Sequence, residues 1–382
     1  MSNFPTRRVV ICAPGFPSSL DDSDKPFLLN HGLALASAGF DVTVVCPSVP
    51  GLPNRQIVEG IQVTRKRYAP RRFETLATTG AMYREARGIR SIFALSMVVA
   101  LIIGVLREST KRDPVVLHGH WWVPGGLAVV LVGLFTRTQS VVHLHGSDSV
   151  IVGNFWMRWI ARRVMRSATH RLAVSEELAD WGRQLSSRDF EVCPMPIADF
   201  YNAPEILPPV DGPILGVGRL VKEKGFDVLI QAVAQLDELE RPRIVIIGDG
   251  PERDALSNAA QFYEVKLDLL GSLPPEDVAS WYLKSRYVVV PSRREGFGLV
   301  AAEAAASARA VIGSRVGSIP SLIDEGVSGL LVRPGSVSEL ARSLQKVDAS
   351  WGSAGKELVS HLTSARHGAG LRDLYLRNTI ND

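Results

Sequence analysis

Arg286-Tyr-Val-Val-Val-Pro-Ser-Arg-Arg-Glu295-Gly-Phe-Gly-Leu-Val-Ala-Ala-Glu303 reads as a strand, a turn and the first turns of a helix. Arg286 to Val290 is a short apolar strand, and Pro291 to Arg294 is the turn leaving its carboxyl end. Gly296 and Gly298 permit close backbone approach where the helix begins. A helix start offers free amides and the positive end of a dipole, which suits a phosphate. Two carboxylates, Glu295 and Glu303, flank that point with seven residues between them. Glu303 lies in Leu299 to Ala308, a run otherwise made of Ala, Val, Leu and one Ser. A charge in so apolar a helix needs a partner. Either Glu303 is a solvated residue on an Ala-rich surface helix, or it holds hydroxyl groups such as those of a sugar.

The rest of the chain repeats this strand-and-helix pattern in two halves. Its 382 residues, 46% of them hydrophobic, are enough for two cores. In the first half the candidate strands are Arg8–Cys12, Val42–Cys46, Gly60–Lys66, Val115–His118, Ser140–His145 and His170–Val174. In the second they are Ile214–Val217, Ile244–Ile247, Leu267–Leu270, Tyr287–Val290, Ala310–Gly313 and Gly329–Val332. Helices such as Phe226–Leu239 and Val337–Lys346 fall between them. Strict alternation predicts an α/β fold with parallel sheets covered on both faces and ligands at the carboxyl ends of strands. The four prolines in 202–213 mark a linker. This divides the chain into a domain at 1–201, the linker, and a domain at 214–364, with a C-terminal helix near 365–382 that could return to the first domain.

Composition narrows the setting. Cys12, Cys46 and Cys193 lie at or beside apolar strands, outside any Cys-x-x-Cys or His-rich pattern, so buried thiols are expected and neither a disulfide nor a structural zinc. No secretory signal opens the chain, which points to the cytoplasm. The longest apolar run, Ile92 to Leu106, is short for a bilayer span of about 20 residues and reads as a buried helix of the first domain. The net charge is +4, but residues 1–210 carry 23 Lys/Arg against 17 Asp/Glu while 211–382 carry 20 against 22. Part of that excess sits in Phe155 to Arg166, where Arg158, Arg162 and Arg166 share one helical face and Trp156, Trp159 and Ile160 another. This is either a helix resting on anionic lipid at the inner face of the membrane, or a surface helix with its aromatic side in the core.

Taken together, these residues resemble the retaining glycosyltransferases of family 4, which have the GT-B fold: two doubly wound, Rossmann-like domains facing across a cleft. The resemblance is strongest from Gly216 to Pro334, in Gly218-Arg-Leu-Val-Lys-Glu-Lys-Gly225, Ile247-Gly-Asp-Gly-Pro251, the Glu295–Glu303 element and Ser328-Gly-Leu-Leu-Val332. The N-terminal half matches through His118-Gly-His-Trp-Trp122, His145-Gly-Ser-Asp148 and Ala173-Val-Ser-Glu-Glu177. The loop Pro14 to Phe27 departs from the family pattern, with Pro26 where a Gly precedes Phe27 in related loops.

The resemblance implies an EC 2.4 transferase that moves a sugar from a UDP- or GDP-sugar to an acceptor hydroxyl on a glycan, a lipid-linked carrier or a small molecule. The nucleotide sugar is a co-substrate, and neither a cofactor nor a metal nor nucleic acid is implied. Arg219 and Lys224 then hold the donor diphosphate, two cations that can neutralise a leaving group. Glu303 binds the ribose hydroxyls and Glu295 lies by the donor sugar. The amides of Gly298 and Leu299 meet the diphosphate, and backbone near Leu273 meets the base. On the other domain His120 holds the sugar or its anomeric region, while His145, Asp148 and Phe16 face the acceptor. His118 is expected to be structural.

Other readings are weaker. A metal-dependent transferase of the other major fold needs Asp-x-Asp at a strand end, and Asp22-Ser-Asp24 sits in a polar loop. A nicotinamide enzyme needs Gly-x-Gly-x-x-Gly, and both Gly216-Val-Gly218 and Gly248-Asp-Gly250 lack the third glycine. A nucleotide-sugar epimerase on the same fold, or a non-catalytic nucleotide-binding partner of another transferase, is the alternative.

Overall fold

The structure, a computed structural model, describes residues 7–76, 90–111, 116–149, 153–202 and 205–377. The chain divides into two compact units, Met1–Pro196 with Ser364–Asp382, and Ile197–Thr363. The crossing at Pro196 precedes the proline-rich 202–213, whose described part belongs to the second unit.

Unit 1 runs β1 (Arg7–Cys12), α1 (Pro26–Ser37), β2 (Phe40–Pro47), β3 (Arg55–Val58), β4 (Ile61–Lys66), α2 (Arg90–Lys111), β5 (Val116–His120), α3 (Leu127–Thr136), β6 (Gln139–Leu144), α4 (Phe155–Ser167), β7 (His170–Ala173), α5 (Glu176–Ser186) and β8 (Glu191–Val192). Its eight strands form one sheet in the order β3-β4-β2-β1-β5-β6-β7-β8. All neighbours are parallel except β3, which pairs antiparallel with β4. The central strands read as unbroken apolar runs because both faces are covered. Val10, Cys12, Leu117 and Val142 pack on one side, and Val9, Ile11, Val44 and Val141 on the other.

Unit 2 runs β9 (Ile214–Val217), α6 (Phe226–Ala234), β10 (Ile244–Ile247), α7 (Arg253–Phe262), β11 (Leu267–Leu269), α8 (Pro275–Lys284), β12 (Tyr287–Val290), α9 (Leu299–Ala306), β13 (Val311–Ser314), β14 (Gly329–Val332), α10 (Val337–Lys346) and α11 (Gly352–Val359). The sheet is wholly parallel in the order β11-β10-β9-β12-β13-β14. The order reverses between β9 and β12, and this is where ligands bind in open parallel sheets. The chain then returns to unit 1 as α12 (Ser364–Leu376), which lies on α1 so closely that a Cβ on Gly368 would stand 2.3 Å from Ala34 O.

Two expectations need correction. The Ile92–Leu106 run belongs to α2, a 22-residue helix that is not simply buried. Met97, Leu101 and Val105 enter the core while Ile92, Leu95, Val99 and Ile103 are exposed. Its Ser91–Lys111 segment is long and apolar enough to cross a membrane by length and composition, and only 28% of the apolar window is buried. In α4, the side turned to the core is Ala161, Val164 and Met165, whereas Trp156 is 70% exposed and Trp159 47%. The aromatic side of that helix is outside the core.

Candidate active site

In unit 2, the loops at the carboxyl ends of β9, β12 and β13 meet around one ion pair. After β9 the chain turns at Gly218 (φ 146°), passes the exposed Arg219, and makes a single helical turn, Lys222–Lys224. That turn ends at Gly225 (φ 70°), where a Cβ would stand 2.1 Å from Pro291 O. Only glycine lets the Lys224 loop lie so close to the loop that follows β12. Arg293 N donates to Glu223 O at 2.7 Å, and the Arg293 guanidinium forks onto both carboxylate oxygens of Asp227 at 2.7 Å each. The two loops are thereby locked. Across them Lys224 Nζ meets Glu295 Oε2 at 2.7 Å, and Ser292 Oγ donates to the same oxygen at 3.2 Å. Residues the sequence separates by 71 positions become a contact pair.

Helix α9 starts just beyond, after Gly298 (φ 87°), and no side chain caps its first amides. The loop after β13 closes in behind, since a Cβ on Gly317 would lie 2.5 Å from Glu295 O. Glu303 lies on α9 and is 7% exposed. Among the described residues it is met by Tyr282, whose hydroxyl donates to Oε2 at 3.0 Å. Burial pushes the Glu303 carboxyl up to about 8, against the Tyr282 hydrogen bond and the charge of Lys224. Leu273 follows Gly271, whose carbonyl accepts from Gly248 N at 2.8 Å, so the loops after β10 and β11 are also tied. Unit 2 thus brings Lys224 and Glu295 into contact and sets Gly298, Leu299 and Glu303 on the next helix. Tyr282 escaped the sequence reading, because α8 is an ordinary amphipathic segment in which nothing marks one Tyr as the partner of a distant Glu.

In unit 1, His120 ends β5 and is fully buried. Its Nδ1 shares a hydrogen bond with His145 Nε2 at 2.7 Å, and burial, then the charge of His31 and other imidazoles, holds it well below the ordinary histidine range. The ring is enclosed, and beside it Trp121 and His145 are half-buried with ring centroids 4.6 Å apart. Two acceptor-side candidates lie inside unit 1. Phe16 is a core residue, packed near Ile61 at Gly32. Asp148 is fully buried and consumed by backbone: Oδ1 accepts from Trp122 N at 2.8 Å and Oδ2 from His145 N at 2.6 Å. It pins the loop after β5 to the loop after β6, and burial lifts its carboxyl to about 6. Asp22 is similarly occupied, accepting from Ser18 N and Ser18 Oγ at 2.8 Å and from Asp24 N at 2.9 Å.

Comparison with known proteins places this arrangement in a family. Residues 205–354 match the model for glycosyl transferases group 1, and residues 27–197 match that for the glycosyl transferase 4-like domain. The chain belongs to this family: it is a family-4-type glycosyltransferase of the GT-B fold, an enzyme of the EC 2.4 class. It is 28% identical over 364 residues to a Bacillus subtilis glycosyltransferase named, provisionally, for teichuronic acid biosynthesis, covering 87% of each chain. Among solved structures, sucrose-phosphate synthase from Thermosynechococcus elongatus is similar with a TM-score of 0.78 and 21% identity, over 98% of this chain and 100% of that one. The Anabaena protein Alr3699/HepE, solved in complex with UDP, gives a TM-score of 0.72 at 17% identity, over 97% and 99%.

Proposed function

We propose that the protein transfers a sugar, with retention of anomeric configuration, from a nucleotide-diphosphate donor bound on unit 2 to an acceptor hydroxyl. The Lys224–Glu295 ion pair carries this reading. A donor diphosphate is a doubly charged competitor for Lys224, so its arrival frees Glu295 to accept hydrogen bonds from the sugar hydroxyls. Arg219 and the uncapped amides of α9 add to the anion site, and Glu303 receives the ribose. The bond from the anomeric carbon to the diphosphate oxygen breaks as the acceptor oxygen bonds to that carbon from the same face. The acceptor proton passes to the departing diphosphate, whose charge Arg219 and Lys224 neutralise. These cations stand in for a metal, and the transfer step needs no cofactor.

UDP is the first nucleotide to test, given the UDP complex of a fold neighbour, with GDP and ADP beside it. Calorimetry is expected to find one of them binding near micromolar affinity, and binding by none would overturn the proposal. The pH dependence has a definite sign. Free Glu303 keeps its proton below about 8, whereas a carboxylate accepting two ribose hydroxyls is ionised. Binding therefore releases a proton and tightens as pH rises from 6.5 towards 8.5. Equal affinity and no buffer-dependent proton release across that range would remove Glu303 from the ribose.

We further propose a lipid-linked acceptor, reached at an anionic membrane. Helices α2, α3 and α4 all pack on the same core cluster of unit 1. Outward they present Ile92, Leu95, Val99 and Ile103, then Leu134 and Phe135, then Phe155, Trp156 and Trp159. Arg158, Arg162, Arg163 and Arg166 are exposed among the last group. Apolar and aromatic side chains interleaved with arginines suit the headgroup region of anionic lipid. Co-sedimentation with phosphatidylglycerol vesicles is expected, falling about tenfold or more in a Trp156→Ala, Trp159→Ala double variant and weakening with salt. Equal sedimentation of variant and wild type would remove this face from the proposal.

A further inference from the structure

Six of the seven histidines of unit 1 form one cluster, a concentration that sugar transfer does not explain. His31 lies on α1, His118 and His120 on β5, His143 on β6, His145 just beyond β6, and His367 on α12. The rings of His31, His118, His120 and His143 are fully buried. Each spends one nitrogen on an outer partner: His31 Nδ1 with His367 Nε2 at 2.9 Å, His118 Nδ1 with Tyr375 OH at 2.5 Å, His120 Nδ1 with His145 Nε2 at 2.7 Å, and His143 Nε2 with Cys193 O at 2.9 Å. The second nitrogen of each, Nε2 of His31, His118 and His120 and Nδ1 of His143, has no hydrogen-bond partner among the described residues.

Four buried polar atoms without partners in one place are unusual, because each loses its hydration for nothing in return. One nitrogen from each of His31, His118 and His120 lies within 4.8 Å of the other two. The pattern of an outer nitrogen held by a hydrogen bond and an inner nitrogen left free is how metal-binding histidines are oriented. We propose that His31, His118 and His120 bind a divalent cation of the zinc class through their Nε2 atoms, with His143 Nδ1 the nearest further nitrogen donor. All-imidazole sites favour zinc-like ions over magnesium or calcium, which take oxygen ligands. The trio His120, His143 and His145 also meets the distance condition. It is the poorer site, since His120 Nδ1 and His145 Nε2 are spent on each other.

An ion there would draw the three nitrogens to roughly 3.4 Å apart, the edge of a tetrahedron with 2.0–2.1 Å bonds. It would join α1 directly to β5, and through the outer partners His367 and Tyr375 it would fasten α12 to both. The role is a structural clasp, separate from the transfer step, that also fixes the orientation of the His120 ring.

Metal-free protein titrated with Co2+ tests this without any measurement of activity. One equivalent is expected to give the intense visible bands of a four-coordinate ion, and one equivalent of Zn2+ to abolish them. His31→Gln is expected to lose the bands, Tyr375→Phe to weaken binding about 10–100-fold as an outer partner should, and His361→Gln, on the exposed surface of unit 2, to bind like wild type. Absence of the bands in wild type, or their persistence in a folded His31→Gln protein, overturns the proposal. Should the variants not fold, X-ray absorption of the zinc-loaded wild type decides it: a shell of three or more imidazoles supports the site and an oxygen-only shell refutes it.

Discussion

Lys224→Ala is expected to lower kcat by about 10²–10³-fold while the donor KM rises far less. The asymmetry follows from when the charge develops. In the ground state the diphosphate is already an anion and also contacts Arg219 and helix amides, so one lost cation is partly covered. As the glycosidic bond breaks, another negative charge collects on the bridging oxygen, and a fixed cation there is worth about 3–4 kcal/mol. Lys224→Arg should recover part of the rate, because it keeps the charge but cannot place it as a single point. The variant is expected to fold, since the pair it breaks is partly open to solvent, at 23% exposure for Lys224 and 16% for Glu295, and Ser292 still donates to Glu295. Glu303→Ala should behave in the opposite manner, weakening nucleotide binding by about 10–100-fold, the worth of a charged hydrogen-bonding group, with a smaller fall in kcat. Initial-rate kinetics and calorimetry separate the two patterns. A Lys224→Ala enzyme within about twofold of wild type would refute the transfer mechanism proposed above.

How far this site was legible depends on the range of the interactions. The strands of unit 2 stand out because a parallel sheet covered on both faces writes itself as short apolar runs, and Ile214–Val217, Ile244–Ile247, Tyr287–Val290 and Gly329–Val332 run as expected. The edge strands β3 and β8 were not visible: Arg55-Gln-Ile-Val58 leaves Ile57 exposed, and Glu191-Val192 is two residues long. Glu303 could be singled out because an acid in an alanine helix is a local contradiction, whereas Tyr282, which answers it, obeys every local rule. The surroundings of Asp148 and Phe16 were hidden for the same reason in reverse. Each sits in a loop at a strand end, where ligand contacts are made, and nothing local says that one carboxylate is filled by two backbone amides or that one aromatic ring turns inward. The histidine cluster was the least readable of all. Its outer partners His367 and Tyr375 arrive from α12, and only tertiary packing puts those rings beside His31 and His118.

Arg309→Ala is expected to be the most damaging single change to unit 2, costing about 3–5 kcal/mol and lowering its thermal midpoint by on the order of 10 °C. Arg309 is fully buried, and its guanidinium donates to four backbone carbonyls: Tyr282 O at 2.8 Å, Leu283 O at 3.0 Å, Ile206 O at 2.8 Å and Ala308 O at 2.9 Å. Two of these close the carboxyl end of α8, where the helix dipole is negative and the last carbonyls lack helical partners. The third ties down the proline-rich segment that begins the fold of unit 2. A lone arginine in Ala304 to Gly313 is as conspicuous in sequence as Glu303, yet it serves structure, because its guanidinium donates to backbone carbonyls. Truncation removes a donor from each, at about 1–3 kcal/mol before relaxation for a carbonyl left buried without one, while Tyr282 O keeps Ser285 N at 3.2 Å and Ser285 Oγ at 2.7 Å. Arg309→Lys should not rescue it, since three donors on a flexible stem cannot reach four acceptors held in the plane of a guanidinium. The loss should also reach the nucleotide. Tyr282 supplies both a carbonyl to Arg309 and the hydroxyl that holds Glu303, so an Arg309→Ala protein still folded at low temperature is expected to bind nucleotide several-fold more weakly than wild type. Unchanged thermal stability would mean that α8 is held by its apolar face alone. Lowered stability with unchanged affinity would separate the scaffold from the ribose contact.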